Sequence, residues 1–376
     1  MIIRSVQTVF FRNLTDGITD TCAKDIFLIG ENGQGKSNFI EAVYYSAYAS
    51  SFRGAADREL ARFDEKSNLK KPTEHETKPH SFSVSLGYDD PLIDQVLVKY
   101  EGGKKSIRIN GKAATDRKEL LGIAPCIVFC HEDMEFVTGS PERRRWFFDQ
   151  TLSLMDPVYL DMFRRYRRVL KEKNALLRDC RLRGLYTQAA PVLDVLDPQL
   201  VSYGLSLMEK REEAAEQFSR LFTRLYGEVS GIEGLEVRYQ SSWKRKEDAE
   251  ETLLEKRQAE FVAGLSLSGP HRDRYNFYRE GNEFTRTAST GQRRLLALLL
   301  RSAQAKIYRE AAGKDPVLLL DDVLLEMDGE KRRRFLAVLP SYSQAFYTFL
   351  PEEPYQAYKK DDTLIYRLVQ GSLEPV

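Results

Sequence analysis

The chain has 376 residues, 42% hydrophobic, 30% charged and 11% aromatic, with a formal net charge of +1. That size and balance exclude a disordered polyelectrolyte and predict two lobes with their own cores, and near-neutrality confines any nucleic-acid contact to a local surface. No apolar run approaches the ~20 residues of a membrane span and the amino terminus lacks a signal-peptide core, so a reducing, cytoplasmic setting without a membrane is expected.

Residues 2–13 alternate loosely through Ile3, Val6, Val9 and Phe11, which predicts an opening strand. A short apolar strand at about 25–30 follows, then a glycine-rich turn and a helix with Phe39, Ile40, Val43 and Tyr44 on one face. Glu41 lies off that face and is expected to meet solvent or a polar partner. Residues 64–80 are polar and without period, the pattern of a mobile loop. Segments 81–87, 96–100 and 106–109 read as a small antiparallel meander, with turns at Gly102-Gly103 and Asn110-Gly111.

A buried strand is predicted at 126–130. The cysteines at 22, 126, 130 and 180 form no C-x-x-C pair and no zinc spacing, so neither a metal site nor a disulfide framework is expected from them. Ser140 before Pro141 predicts a helix start, and helix dominates from there to about 263. Asp156-Pro157 opens one helix, with Tyr159, Met162, Phe163, Tyr166, Val169 and Leu170 on one face. Asp197-Pro198 is expected to open another, through Val201, Leu205, Met208 and on to Leu225. A short strand at 237–243 and a third helix at about 247–263 follow, all too short for an extended coiled-coil arm. Then come a turn at Gly281-Asn282, a strong helix after Ser289, a buried strand from Val317 ending in Asp321-Asp322, a strand at 345–349 and a last one at about 363–369.

Three of these stretches carry chemistry. Gly30-Glu31-Asn32-Gly33-Gln34-Gly35-Lys36-Ser37 matches G-x-x-x-x-G-K-[ST] in full, between a strand and a helix. Its glycines let successive N–H groups face a phosphate and the helix start adds its dipole; Lys36 would reach the terminal phosphates and Ser37 would hold Mg²⁺. Asp321 would hold the Mg²⁺ hydration shell, and Asp322 would polarise water for attack on the γ-phosphate. Ser289-Thr290-Gly291-Gln292 opens a helix, which is either a second anion-binding terminus or only a cap.

In this order the three stretches match the ATP-binding-cassette (ABC) class, in which one subunit's signature completes the nucleotide site of another. Further stretches make the chain resemble the RecF family of bacterial recombination-mediator ATPases, related to SMC heads. They are FFRNL (10–14), GENGQGKSNFIEAVYY (30–45), SSFR (50–53), GSPERRRWFFDQTL (139–152), GPHRD (269–273), STGQRR (289–294) and LLLDDVLLEMD (318–328). The resemblance implies an α/β fold: an ABC-type P-loop ATPase head, with a parallel core sheet plus an antiparallel meander, over 1–140 and 264–376. A mostly helical lobe is inserted at 141–263.

The resemblance also implies ATP-dependent dimerisation, with Ser289, Gly291 and Gln292 acting in trans, and slow DNA-stimulated hydrolysis with Lys36 and Asp322 as catalytic residues. It implies work at gaps or single-strand/duplex junctions with RecR and RecO to load RecA. Glu326 and Asp328 fall on the family's loop across the dimer interface, and Thr348 stands where most ABC ATPases place a histidine. His131 in place of a proline and Met327 in place of a leucine are local departures.

Residues 143–183 hold twelve Lys/Arg against five Asp/Glu, the densest basic stretch. Arg164, Arg165, Arg167, Arg168 and Lys171 are the candidate DNA contacts, with Lys173 in the same run, and few aromatics are free for stacking, which favours phosphate contact over base reading. Against this stand a merely solvated helix face and, for Arg143, Arg144 and Arg145, a structural role. The alternative function is a transport-type ABC ATPase subunit driving a membrane partner.

Overall fold

The computed structural model describes residues 1–62, 81–324 and 327–376, with the side chains of 246 and 247 also left aside, so the expected loop at 64–80 and Glu326 lie outside the described residues. The chain forms two compact units, Met1–Glu132 with Gly313–Val376, and Asp133–Ala312. In the first, β1 (Ile2–Val9) pairs antiparallel with β2 (Gly17–Asp20), a strand whose GITD sequence gives no apolar signal. Next come β3 (Asp25–Ile29) and α1 (Lys36–Tyr48). The meander consists of β4 (Phe82–Asp89), β5 (Gln95–Glu101), β6 (Lys104–Ile109) and β7 (Lys112–Ala113), giving an antiparallel sheet of order β2-β1-β4-β5-β6-β7. Asn110 and Gly111 both take positive φ, 49° and 77°, as a tight hairpin turn requires. A short α2 (Lys118–Leu121) then leads to β8 (Cys126–Phe129).

The second unit begins with α3 (Glu135–Thr138), α4 (Pro141–Met155) and α5 (Pro157–Arg183). Asp156 caps α5 through Val158 N at 2.8 Å, with Pro157 at the first helical position, as the sequence predicts. Asp197-Pro198 opens no helix. Pro191 and Pro198 both lie inside one 45-residue helix, α6 (Tyr186–Ser230), which at 1.5 Å per residue spans about 67 Å. Each proline removes one helical hydrogen bond. Against that cost, the buried positions Leu193, Leu196, Leu200, Val201, Gly204, Leu207 and Met208 keep an unbroken three-to-four spacing across Pro198. The Asp197 carboxylate takes Lys173 Nζ at 2.8 Å and Arg257 Nη2 at 3.1 Å in place of a capping role. Although α6 is longer than expected, it packs on elements of its own unit, α5 foremost.

β9 (Leu235–Gln240) and α7 (Lys246–Ala263) precede β10 (Arg274–Arg279), β11 (Asn282–Glu283), α8 (Phe284–Thr287) and α9 (Thr290–Ala312). β10 pairs with β9 over six residue pairs and α9 packs on α4 and α6, so residues 264–312 stay with the helices. The compact units divide after Glu132 and Ala312.

A buried polar network joins α4, α5, α6, β9 and the GPHRD turn. Arg211, 1% exposed, meets Asp149, Asp273 and the Pro270 carbonyl, and His271 sits between the Tyr166 hydroxyl (2.7 Å) and the Ser266 carbonyl (3.1 Å). The carbonyl can only accept, so His271 Nε2 carries the proton and Nδ1 accepts from Tyr166. Burial lowers the His271 pKa to about 4. A depressed histidine favours the native state fully above its unfolded value near 6.5, and that contribution is lost as pH falls from 6.5 towards 4. Urea unfolding at pH 7 and pH 5 should therefore show about 2 kcal/mol of lost stability that His271→Gln abolishes. An identical pH dependence in the variant would refute this assignment.

In the first unit the chain closes with β12 (Val317–Leu320), α10 (Gly329–Val338), β13 (Gln344–Phe349), β14 (Thr363–Val369) and β15 (Ser372–Pro375). The second sheet runs β15-β14-β3-β13-β12-β8, parallel except for β15 against β14. DIFLI, VLLL and CIVF are buried throughout, as strands covered on both faces must be. The carboxyl ends of β3, β12 and β13 thus come to one edge, where open parallel sheets place their ligand sites. Among the described residues no helix is long and apolar enough to cross a membrane.

Candidate functional site

The glycine-rich loop lies between Ile29, the last residue of β3, and Lys36, the first of α1. Gly33 and Gly35 take φ of +81° and +110°, values open to glycine at little cost, and Glu31, Asn32 and Gly33 face solvent. Lys36 is 4% exposed, and its ammonium curls over the loop to donate to Gly30 O at 2.6 Å and Glu31 O at 3.2 Å. Ser37 Oγ donates to Asp321 Oδ1 at 2.7 Å, so the phosphate loop and the strand-end acid, 284 residues apart, meet as expected.

Asp322 follows in the left-handed region, φ +53°, an uncommon conformation outside glycine. Thr348 at the end of β13 holds it there: the hydroxyl accepts from Asp322 N at 2.7 Å and donates to Asp322 Oδ1 at 2.8 Å. Burial pushes the Asp321 carboxyl up to about 6, while the Ser37 hydrogen bond pulls the other way. Ser37 Oγ and Asp321 offer adjacent hard oxygen donors, which fit a magnesium ion completed by phosphate oxygens and water. Among the described residues no group of three or more His, Cys, Asp or Glu could hold a metal by itself.

Sequence reasoning assigned no role to Arg53 or to a buried carboxylate on α1. Glu41 is 0% exposed and takes the polar alternative: Arg12 Nε donates to it at 2.9 Å and Ser51 Oγ at 2.5 Å. Arg53 reaches Asn38 Oδ1 at 3.2 Å and Asp321 Oδ2 at 3.4 Å, placing a cation beside the acid pair. Only a charge at an off-face helical position hinted at this cluster. A cavity of about 330 Å³ lined by Asp25, Phe27, Leu336 and Tyr347 includes no residue of the phosphate loop.

Ser289, Gly291 and Gln292 belong to the second unit. Ser289 N donates to Gln292 Oε1 at 2.7 Å and Gln292 N to Ser289 Oγ at 3.3 Å, a reciprocal capping box. Gly291 is exposed with no heavy atom within 4 Å of an added Cβ, so the start of α9 is open to solvent. Asp328 caps α10 through Lys331 N at 2.9 Å.

The candidate nucleic-acid residues Arg164, Arg165, Arg167, Arg168 and Lys171 are all exposed on α5. Lys173 is not with them: fully buried, it pairs with Asp197 and Glu260, each at 2.8 Å. Arg144 donates to Tyr275 O, Val137 O and Gly139 O, and Arg145 to Asp273 O, so these two arginines serve the fold of their unit.

The family model described as RecF/RecN/SMC N terminal domain matches residues 2–365. A "DNA replication and repair protein RecF" of Treponema pallidum is 38% identical over 98% of this chain and 99% of its own. One of Clostridium perfringens is 30% identical over 100% of both. Among solved structures, "the recombination mediator protein RecF-ATPrS in RecFOR pathway" matches with TM-score 0.84 and 26% identity, over 100% of this chain and 98% of that one. An Smc head domain derived from Pyrococcus furiosus matches in fold, with TM-score 0.52 and 16% identity over 100% and 96%. With an ABC-type ATPase fold and full-length relatives of this kind, the chain belongs to the RecF family.

Proposed function

We propose that the protein is an ATP-dependent DNA-binding recombination mediator, a slow DNA-stimulated ATPase that dimerises on ATP at gapped or junction DNA and helps to load recombinase. The observation that carries it is the junction of a complete phosphate loop with Asp321 and a braced Asp322. ATP fits that edge: the glycine-rich loop and the start of α1 would turn backbone N–H groups to its phosphates, and Lys36 exchanges two loop carbonyls for phosphate oxygens. Magnesium, held by Ser37 and Asp321, would neutralise phosphate charge. Asp322 orients the attacking water, with its carboxylate aimed by Thr348.

The site is half of a composite. Ser289, Gly291 and Gln292 of a second copy would present an open helix start to the γ-phosphate, and Glu326 and Asp328 would cross that interface. The functional head comprises 1–140 and 264–376, and the lobe at 141–263 carries the exposed arginines of α5 to the DNA backbone, a contact that weakens steeply with salt. ATP binds the paired state better than the open one, and hydrolysis resets the pair. RecR, and through it RecO and RecA, are the protein partners, in the cytoplasm.

Ser289→Arg should bind ATP within about twofold of the parent yet stay monomeric by light scattering where the parent dimerises. Dimerisation of that variant on ATP would rule out completion in trans. Turnover with and without gapped duplex DNA tests the DNA arm, since a subunit driving a membrane partner would not respond.

A further inference from the structure

We propose that the turn at Gln370 and Gly371, between β14 and β15, is a splint for the phosphate loop. Together with Asn13 it fixes the loop backbone in its anion-binding shape before nucleotide arrives, a role that rests on the nucleotide reading above. Gln34 stands at the centre of the contact. Its carbonyl accepts from Gly371 N at 3.0 Å and its side-chain Oε1 from Gln370 N at 2.5 Å. Asn13 Nδ2 donates to the neighbouring carbonyl, Gly33 O, at 3.2 Å, while its Oδ1 accepts from Asn38 Nδ2 at 2.8 Å. Gly371 O accepts from Thr15 N at 2.9 Å, so the turn is anchored on the same segment that supplies Asn13.

The fit is close enough to require glycines on both sides. A Cβ on Gly371, whose φ is +82°, would lie 1.9 Å from Asn13 O. A Cβ on Gly30 would lie 2.7 Å from Leu368 O, at the end of β14, and one on Gly35 3.0 Å from Asn13 Oδ1. The loop is thus gripped at Gly30, Gly33, Gln34 and Gly35. Among the described residues the edge strand β15 pairs only with β14, and its turn bonds to Gln34 and to Thr15 of the segment that holds Asn13.

The consequence is electrostatic. An anion cradle works only while N–H groups converge and carbonyls point away. The splint ties down the Gly33 and Gln34 carbonyls, which would repel phosphate if they swung inward. A loop held this way gives up little freedom on binding, so nucleotide affinity gains from the preorganisation. Gln370, Gly371 and Asn13 are positioning residues: they act through the loop.

The test uses the full chain and Mg²⁺-ATP. Gly371→Ala forces the turn off Asn13, and Gln34→Met keeps side-chain length while removing the acceptor for Gln370 N. Expected are a roughly tenfold weaker Kd for the first and about threefold for the second, a KM that rises in step and an unchanged kcat at saturation. Gln34→Met should leave the nucleotide-free unfolding midpoint within about 1 °C of the parent. A merely structural turn would lower that midpoint and the active fraction, and with it kcat, at constant KM. That pattern, or parental affinity in both variants, overturns the splint. A parent chain that binds no ATP would remove the nucleotide reading itself, and this inference with it.

Discussion

Arg211→Met is expected to lower the unfolding midpoint of the second unit by about 10 °C or more. The guanidinium is buried and donates to carboxylate and carbonyl acceptors. It donates to both Asp149 oxygens at 3.0 Å, to Pro270 O at 2.7 Å and to Asp273 Oδ2 at 2.8 Å. Burial opposes its charge, yet Asp149 and the groups around it hold its pKa well above the ordinary value. Asp273, 0% exposed, also accepts from Tyr239 and from Ser242 N. Methionine preserves much of the volume but strands two carboxylates, and breaking a buried pair in this way costs about 3–5 kcal/mol. At about 2–4 °C per kcal/mol for a unit of this size, the shift is large. Adding Asp149→Leu to Arg211→Met removes one stranded charge and should recover part of the loss. A midpoint within about 2 °C of the parent, or a double variant less stable than the single, would show that the network is not what joins these elements.

The network shows where the sequence is readable and where it is not. The phosphate loop is legible because its requirements are local: glycines where φ turns positive, a strand before and a helix after. The strands ending at Phe129 and Leu320 are legible because an uninterrupted apolar run of that length has few other places to go. Asp197-Pro198 misleads for the opposite reason. A local capping signal competes with an apolar period running from Leu193 to Val229, and tertiary burial decides in favour of the longer pattern. Lys173 was readable in principle: Tyr166, Val169, Lys173, Leu177 and Cys180 lie on one buried stripe of α5, so its charge had to find partners inside. Those partners, Asp197 and Glu260, are remote in sequence, as are the pairings of Glu41 with Arg12 and of Gln34 with the carboxyl-terminal turn. Contacts of that range leave no periodic trace.

Lys36→Ala is expected to weaken Mg²⁺-ATP binding by two orders of magnitude or more and to bring turnover below detection. The side chain is nearly fully buried and folded back over the loop, so its ammonium has only to exchange the Gly30 and Glu31 carbonyls for phosphate oxygens. Charge-assisted hydrogen bonds are each worth about 1.5–3 kcal/mol, and every 1.4 kcal/mol is tenfold in Kd. A thermal readout separates this loss from misfolding. Ligand at a hundred times its Kd stabilises the native state by about 2.7 kcal/mol, which the parent should show as a raised unfolding midpoint in Mg²⁺-ATP. The variant should still unfold cooperatively without nucleotide, the sign that it is folded, and should lose the ATP-dependent rise. Retention of that rise, with a Kd within about threefold of the parent, would mean that the loop is not where the triphosphate is held.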